Sequence, residues 1–215
     1  MSAIEPLRRR SAVDELAAAL RTRILDGDLD AGERLREQEL TDAYDVARHT
    51  VRAALRALQA EGLVRIEPNR GAHVAQLNAD DVEGLYELRT ALEVEAARLA
   101  LARHDSALAD DVRAAAHRLT KVCARKAPRW ADVVDAHDAV HAQLVRASGS
   151  ARIIQAHEAL AGETRLFLVQ LRPAWSLTYM AEDHERLVDR LEHEGPDALR
   201  PHLREAADAV IALLR

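Results

Sequence analysis

Between Glu37 and Val74 the hydrophobic period of the chain changes from helical to strand-like within a short span, and few folds accommodate that order. Glu37 to Tyr44 is a short helical piece, Asp45-Val46-Ala47 interrupts it, and Arg48 to Glu61 resumes with Val51, Ala54, Leu55 and Leu58 on one face. Gly62 stops that helix. Leu63-Val64-Arg65-Ile66-Glu67 then alternates as a short strand, Pro68-Asn69-Arg70-Gly71 turns the chain, and Ala72-His73-Val74-Ala75 can pair back. Upstream, Val13, Leu16, Ala17, Leu20 and Ile24 sit at helical spacing, with Gly27-Asp28 as a stop. The pattern predicts helix, helix, tight turn, helix and hairpin, in that order.

Asn78-Ala79-Asp80-Asp81 caps a new helix, and from there to Arg215 only helical periodicity is visible. Breaks fall near Asp105, Ala127-Pro128, Ser148-Gly149, Pro173 and Gly195-Pro196. The fold class expected is mainly α: an N-terminal winged helix-turn-helix with a small β-hairpin wing, followed by an all-α antiparallel helical bundle. The domains expected are 1–77 and 78–215, and a chain of 215 residues can bury two cores of that size.

Composition narrows the function. Hydrophobic residues at 48% exclude a disordered chain. No stretch is apolar enough for a signal peptide or a bilayer span, so a cytoplasmic location and no membrane partner are expected. Cys123 is alone, which excludes a disulfide framework and a cysteine-based zinc module, and it reads as a small buried hydrophobe. Trp130, Phe167 and Trp175 read as core. The net charge of −6 argues against a protein that coats nucleic acid along its whole surface. Charge is uneven, however: from Ala47 to His73, Arg48, Arg52, Arg56, Arg65 and Arg70 face only Glu61 and Glu67. The second helix of a helix-turn-helix enters the major groove, where residues near its N-terminus reach base edges. Here those are Arg48, His49, Thr50 and Arg52. On charge alone, a merely solvated helix face explains the arginines equally well.

The order of motifs goes further. Leu35-Arg36-Glu37-Gln38-Glu39-Leu40, Val46-Ala47-Arg48-His49-Thr50-Val51-Arg52-Ala53-Ala54-Leu55, Glu61-Gly62-Leu63-Val64 and Pro68-Asn69-Arg70-Gly71-Ala72-His73-Val74 together resemble the winged helix-turn-helix of the GntR family. The resemblance implies double-stranded DNA as partner, Arg48 and Arg52 as base contacts with His49 and Thr50 nearby, Arg36 and Gln38 as backbone contacts, and a wing of Asn69, Arg70 and Gly71 at the minor groove. Two positions depart from the family pattern: Asp45 replaces the usual Gly, and Ala47 replaces a Ser or Thr that would cap the helix.

Leu85-Tyr-Glu-Leu-Arg89-Thr-Ala-Leu-Glu93 and His137-Asp-Ala-Val-His141 through Ser148-Gly149 resemble the ligand-binding domain of the FadR subfamily, in its shorter, six-helix, VanR-like form. That resemblance implies a homodimer on a short inverted repeat, released or modulated by a small carboxylate effector held by Arg89, with Tyr86 and Arg165 as further pocket residues. It also implies a metal bound by an Asp and three histidines. His141 and His184 match, whereas the family Asp falls at His137 and the last His at Ala206; His202, one turn earlier, stands on the same face as Ala206. A site of His137, His141, His184 and His202 would suit zinc or nickel, and Asp138 is an alternative oxygen donor. Against it stands the reading of these residues as ordinary pocket histidines; His104, His117, His157 and His193 are read as surface residues. Two rivals remain at this point: a constitutive DNA-binding protein whose bundle only dimerises, and a metal-dependent hydrolase, for which no His-Glu-x-x-His pattern is present.

Overall fold

The computed structural model describes residues 11–76, 78–105, 107–170 and 176–214. The chain divides into two compact units, Met1–Ala75 and Gln76–Arg215.

In the first unit α1 (Ala12–Asp26) opens on a capping box, in which the Ser11 hydroxyl accepts from the Asp14 backbone N–H and the Asp14 carboxylate accepts from that of Ser11. It closes on Gly27 in the left-handed conformation. Its buried Leu16, Leu20 and Ile24 pack on Val51, Ala54, Leu55 and Leu58 of α3 (Arg48–Ala60). Each fully buried leucine contributes about 1.5–3 kcal/mol. Helix α2 (Glu37–Tyr44) packs on α3, buries Leu40 and ends at Asp45, whose φ of 49° explains why the position ordinarily prefers Gly. Arg21 donates Nε and Nη2 to the two oxygens of Glu61, both at 2.6 Å, tying α1 to the end of α3.

The wing is larger than the expected hairpin. β2 (Val64–Glu67) pairs antiparallel with β3 (Gly71–Val74), but β1 (Arg34–Leu35) adds a third strand in the order β1-β3-β2, with Arg34 opposite His73 and Leu35 opposite Ala72. Two residues are too few for alternation to show.

In the second unit α4 (Ala79–Arg103) starts on an Asn78–Asp81 capping box. It is followed by α5 (Asp110–Cys123), α6 (Trp130–Ala147), α7 (Ala151–Glu158), α8 (Ala161–Gln170), α9 (Leu177–Glu194) and, after a 3-10 turn at Pro196–Ala198, α10 (Leu199–Leu214). The described residues thus form seven α-helices here rather than six, because the segment after Gly149 breaks at Ala159-Leu160. Helix α6 packs against α4, α5, α7 and α8; α5 lies on α9, and α10 on α4. Trp130 is buried and donates its indole N–H to the Leu168 carbonyl at 3.0 Å, and Phe167 is buried beside Tyr86, as core positions should be. Trp175 and the break at Pro173 lie outside the described residues. Cys123 is half-buried rather than buried, and burial raises its thiol pKa. No helix of the described residues is long and apolar enough to cross a membrane.

Candidate nucleic-acid interface and candidate metal and effector site

Helix α3 turns Arg48, His49 and Arg52 outward, because Val51, Ala54, Leu55 and Leu58 commit the opposite face to the core. Thr50 does not join them. It is 7% exposed and shares its face with Ala54 and Leu58, four and eight positions on, so the structure moves it from the groove face to the inner one. The helix starts at Ala47 without a side-chain cap, as that substitution implies.

Four exposed arginines hold anionic or amide partners. Arg52 donates Nε to both oxygens of Glu37 at 3.0 and 2.9 Å, and an Nη of Arg48 donates to the Gln38 side-chain carbonyl. Arg36 pairs with Glu39 at 2.7 Å and Arg70 with Glu67 at 2.8 Å. At the wing tip Asn69 and Gly71 have φ of 63° and 86°. A Cβ at Gly71 would meet nothing closer than the Arg34 side chain at 3.8 Å, so the backbone conformation, not crowding, calls for glycine.

The second unit holds a buried polar cluster. Glu93 of α4 is 0% exposed and Arg89 2%, and Arg89 donates Nε to it at 2.8 Å. His141 of α6 donates Nδ1 to the other Glu93 oxygen at 2.7 Å, and His157 of α7 lies 3.3 Å from the first. Burial by itself would raise the Glu93 pKa, but Arg89, then His141 and His157, hold it well below the usual carboxylate range. His157 is therefore a buried partner of Glu93, not a surface residue.

His184 of α9 donates Nδ1 to the Met180 carbonyl at 2.8 Å, and His202 of α10 donates Nδ1 to Asp183 at 2.7 Å. Glu93 is ionised and the Met180 carbonyl can only accept, so His141 and His184 must each carry the proton on Nδ1. Their Nε2 atoms face each other at 3.3 Å as two lone pairs. Burial lowers the pKa of His141 to about 4, and burial with the neighbouring His202 and His141 takes His184 well below its usual value, so neither ring supplies a bridging proton near neutral pH. His137, likewise driven well down by burial and its histidine neighbours, has a buried Nδ1 with no hydrogen-bond partner among the described residues.

Ligand atoms of His137, His141 and His184 lie within 4.8 Å of one another, as do those of Asp183, His184 and His202. The four expected histidines thus come together as two overlapping triads sharing His184. Asp183 was not anticipated, although it adjoins His184 in the sequence. Asp138 is turned away, 3.4 Å from Arg165.

A cavity of about 350 Å³ opens beside the cluster. Its lining includes Tyr86, Arg89 and the four histidines together with Tyr179, Met180, Leu203 and Ala206. Arg89 stands over the Tyr86 ring at 5.0 Å. Arg165 is not among the lining residues: it bonds Asp135 at 2.6 Å, which pulls it out of the expected pocket role.

Residues 12–74 match the bacterial regulatory proteins of the gntR family, and residues 83–209 match the FCD domain, the FadR-like C-terminal domain. The chain belongs to the GntR family. This GntR regulator is 29% identical, over 89% of its own length and 83% of the relative's, to a protein described as a D-xylose utilization operon transcriptional repressor of Paenarthrobacter nicotinovorans. It is 32% identical to the transcriptional repressor GlaR of Escherichia coli K12, over 66% of its length and 65% of GlaR's. A match to the regulator BphR of Paraburkholderia xenovorans, 38% identical, covers 52% of the chain and only 45% of that relative. Among solved structures, a GntR transcriptional regulator from Rhodococcus sp. RHA1 superposes with a TM-score of 0.76 at 26% identity, over 96% of this chain and all of that one. GntR proteins with FCD domains are DNA-binding transcriptional regulators and not enzymes, which removes the hydrolase reading.

Proposed function

We propose that this GntR regulator is a repressor that binds a short inverted repeat as a homodimer, through a DNA-binding domain of residues 1–77. A helical domain of residues 78–215 dimerises and takes a zinc or nickel ion together with a small carboxylate effector. Two relatives described as repressors support the direction of control. The observation that carries the metal is the 3.3 Å approach of two lone-pair nitrogens, His141 Nε2 and His184 Nε2. Two imidazole nitrogens bound to one tetrahedral zinc at about 2.0–2.1 Å stand roughly 3.3–3.4 Å apart, so the spacing suits a shared cation. Without a cation two acceptors confront each other in a buried site.

His141 and His184 would hold the ion, with His137, His202 and Asp183 as the further donors within reach. A bound divalent ion supplies positive charge and an open coordination position for a carboxylate. The chain's own contribution is orientation: Glu93, the Met180 carbonyl and Asp183 fix the Nδ1 protons of His141, His184 and His202, leaving each Nε2 as the donor atom. Arg89 places a permanent cation in the lining of the same cavity for the effector carboxylate. Effector coupling of about 1–3 kcal/mol would change operator occupancy roughly 5- to 150-fold.

Metal content by mass spectrometry of protein carrying no His-tag, beside a His141→Ala/His184→Ala variant, tests this reading. About one zinc or nickel per chain, lost in the variant, is expected. A wild type that takes up neither metal when supplied overturns the metal and leaves Arg89 as the anchor. If small carboxylates then fail to raise the melting temperature, the bundle only dimerises.

A further inference from the structure

The two arginines of the α3 groove face are held from α2. Glu37 accepts Nε of Arg52 with both oxygens, across fifteen positions of sequence, and Gln38 accepts Nη2 of Arg48 across ten. Gln38 is itself fixed, because its Nε2 donates to Asp42 at 2.8 Å and this leaves its carbonyl oxygen toward Arg48. The pairs Arg36–Glu39 and Arg70–Glu67 are different: each joins residues three apart, a local contact within one segment of chain. Of these four arginines, Arg48 and Arg52 are the two held from a second helix.

That grip suits base reading better than phosphate binding. A phosphate contact asks chiefly for positive charge, which Glu37 offsets. A base edge asks for a planar fork in a fixed direction, and Arg is bidentate to the O6 and N7 of guanine in the major groove. With Nε committed to Glu37, Arg52 still has its Nη donors for a base. Holding the side chain beforehand also reduces the rotamer entropy lost on contact.

We propose that Glu37 and Gln38 are positioning residues for sequence specificity, Glu37 aiming Arg52 and Gln38 aiming Arg48, each at the guanine of a different base pair in the half-site. This rests on α3 being the reading helix, and it changes Gln38 from a backbone contact into a brace. Four residues of helix rise about 6 Å, so the two base pairs lie within about two steps of each other.

The test uses the full-length protein. An operator is selected from a randomised duplex pool with the wild type. Wild type, Arg48→Ala, Arg52→Ala, Glu37→Gln and Gln38→Ala are then titrated against it and against every single-base-pair variant. Glu37→Gln is expected to cut discrimination about tenfold at the pair that Arg52→Ala also flattens, leaving the Arg48 pair unchanged, and Gln38→Ala to do the reverse. Adding Glu37→Gln to Arg52→Ala should change nothing further at that pair. A Glu37→Gln protein that binds all duplexes more tightly with an unchanged profile overturns the proposal, since Glu37 would then be a charge brake only. Arginine variants that leave the profile intact overturn it differently, by showing that α3 does not read bases. Glu37 is half-buried and Gln38 exposed, and unaltered melting curves identify these as changes in recognition and not in folding.

Discussion

Arg52 and Arg89 are both helical arginines paired to a glutamate, yet Arg52 and Glu37 keep 59% and 39% of their side chains exposed, whereas Arg89 and Glu93 keep 2% and 0%. An exposed pair is screened by water and contributes about 0–1 kcal/mol, so it can orient Arg52 without anchoring the fold. A buried pair is different: separating it strands a charge away from water, a penalty of about 3–5 kcal/mol. The first arrangement suits a surface that must engage and leave DNA. The second suits a frame that must keep histidines and a cavity in one geometry.

The largest effect that would sharpen this contrast is expected from Glu93→Ala. It leaves Arg89 buried without its carboxylate and should cost the second unit about 3–5 kcal/mol. Glu37→Ala should shift stability by less than about 1 kcal/mol. Both tryptophans fall in the second unit, so urea unfolding followed by tryptophan fluorescence reports on it. Comparable midpoints for Glu93→Ala and the wild type would show that the buried network is not a stabilising frame.

A smaller effect is expected from pH on metal-free protein. His141 titrates near 4 when folded and near 6.5 when unfolded, so between these values the unfolded chain binds the extra proton. Stability is complete above the unfolded value, falls as pH drops below about 6.5, and is reduced by up to about 3 kcal/mol at pH 4. His137 and His184 act in the same direction. A urea midpoint that stays flat from pH 7 to pH 5 in chelator-treated protein would contradict the burial of these rings as neutral imidazoles. The smallest effect concerns the first unit: Ala47→Ser supplies the absent cap of α3 and should stabilise it by about 1 kcal/mol, seen as slower hydrogen exchange in its first turn.

Much of the fold is legible because it depends on local spacing. Gly27, Gly62 and Gly195 each close a helix, and Asn69 and Gly71 mark the wing. β1 is not legible, since its pairing of Arg34 with His73 is a long-range match of two residues. The site is legible in part. Val82, Tyr86, Arg89, Glu93, Ala97 and Ala100 follow one buried stripe of α4, so the burial of the ion pair leaves a trace in the spacing. The role of His157 leaves none: its partner Glu93 is 64 positions away, and α7 offers no pattern to single it out. Arg165 fails for a related reason, because Asp135 and Asp138 capture it across helices that sequence spacing does not relate.

The pairing of Arg52 with Glu37 also constrains how the regulator can be retargeted. Replacing Arg52 alone leaves a bare carboxylate facing a polyanion, and replacing Glu37 alone leaves an arginine with no direction imposed on it. On the proposal that Glu37 aims Arg52, a new base preference would call for coordinated substitution on two helices, because either single change leaves one partner of the pair unmatched.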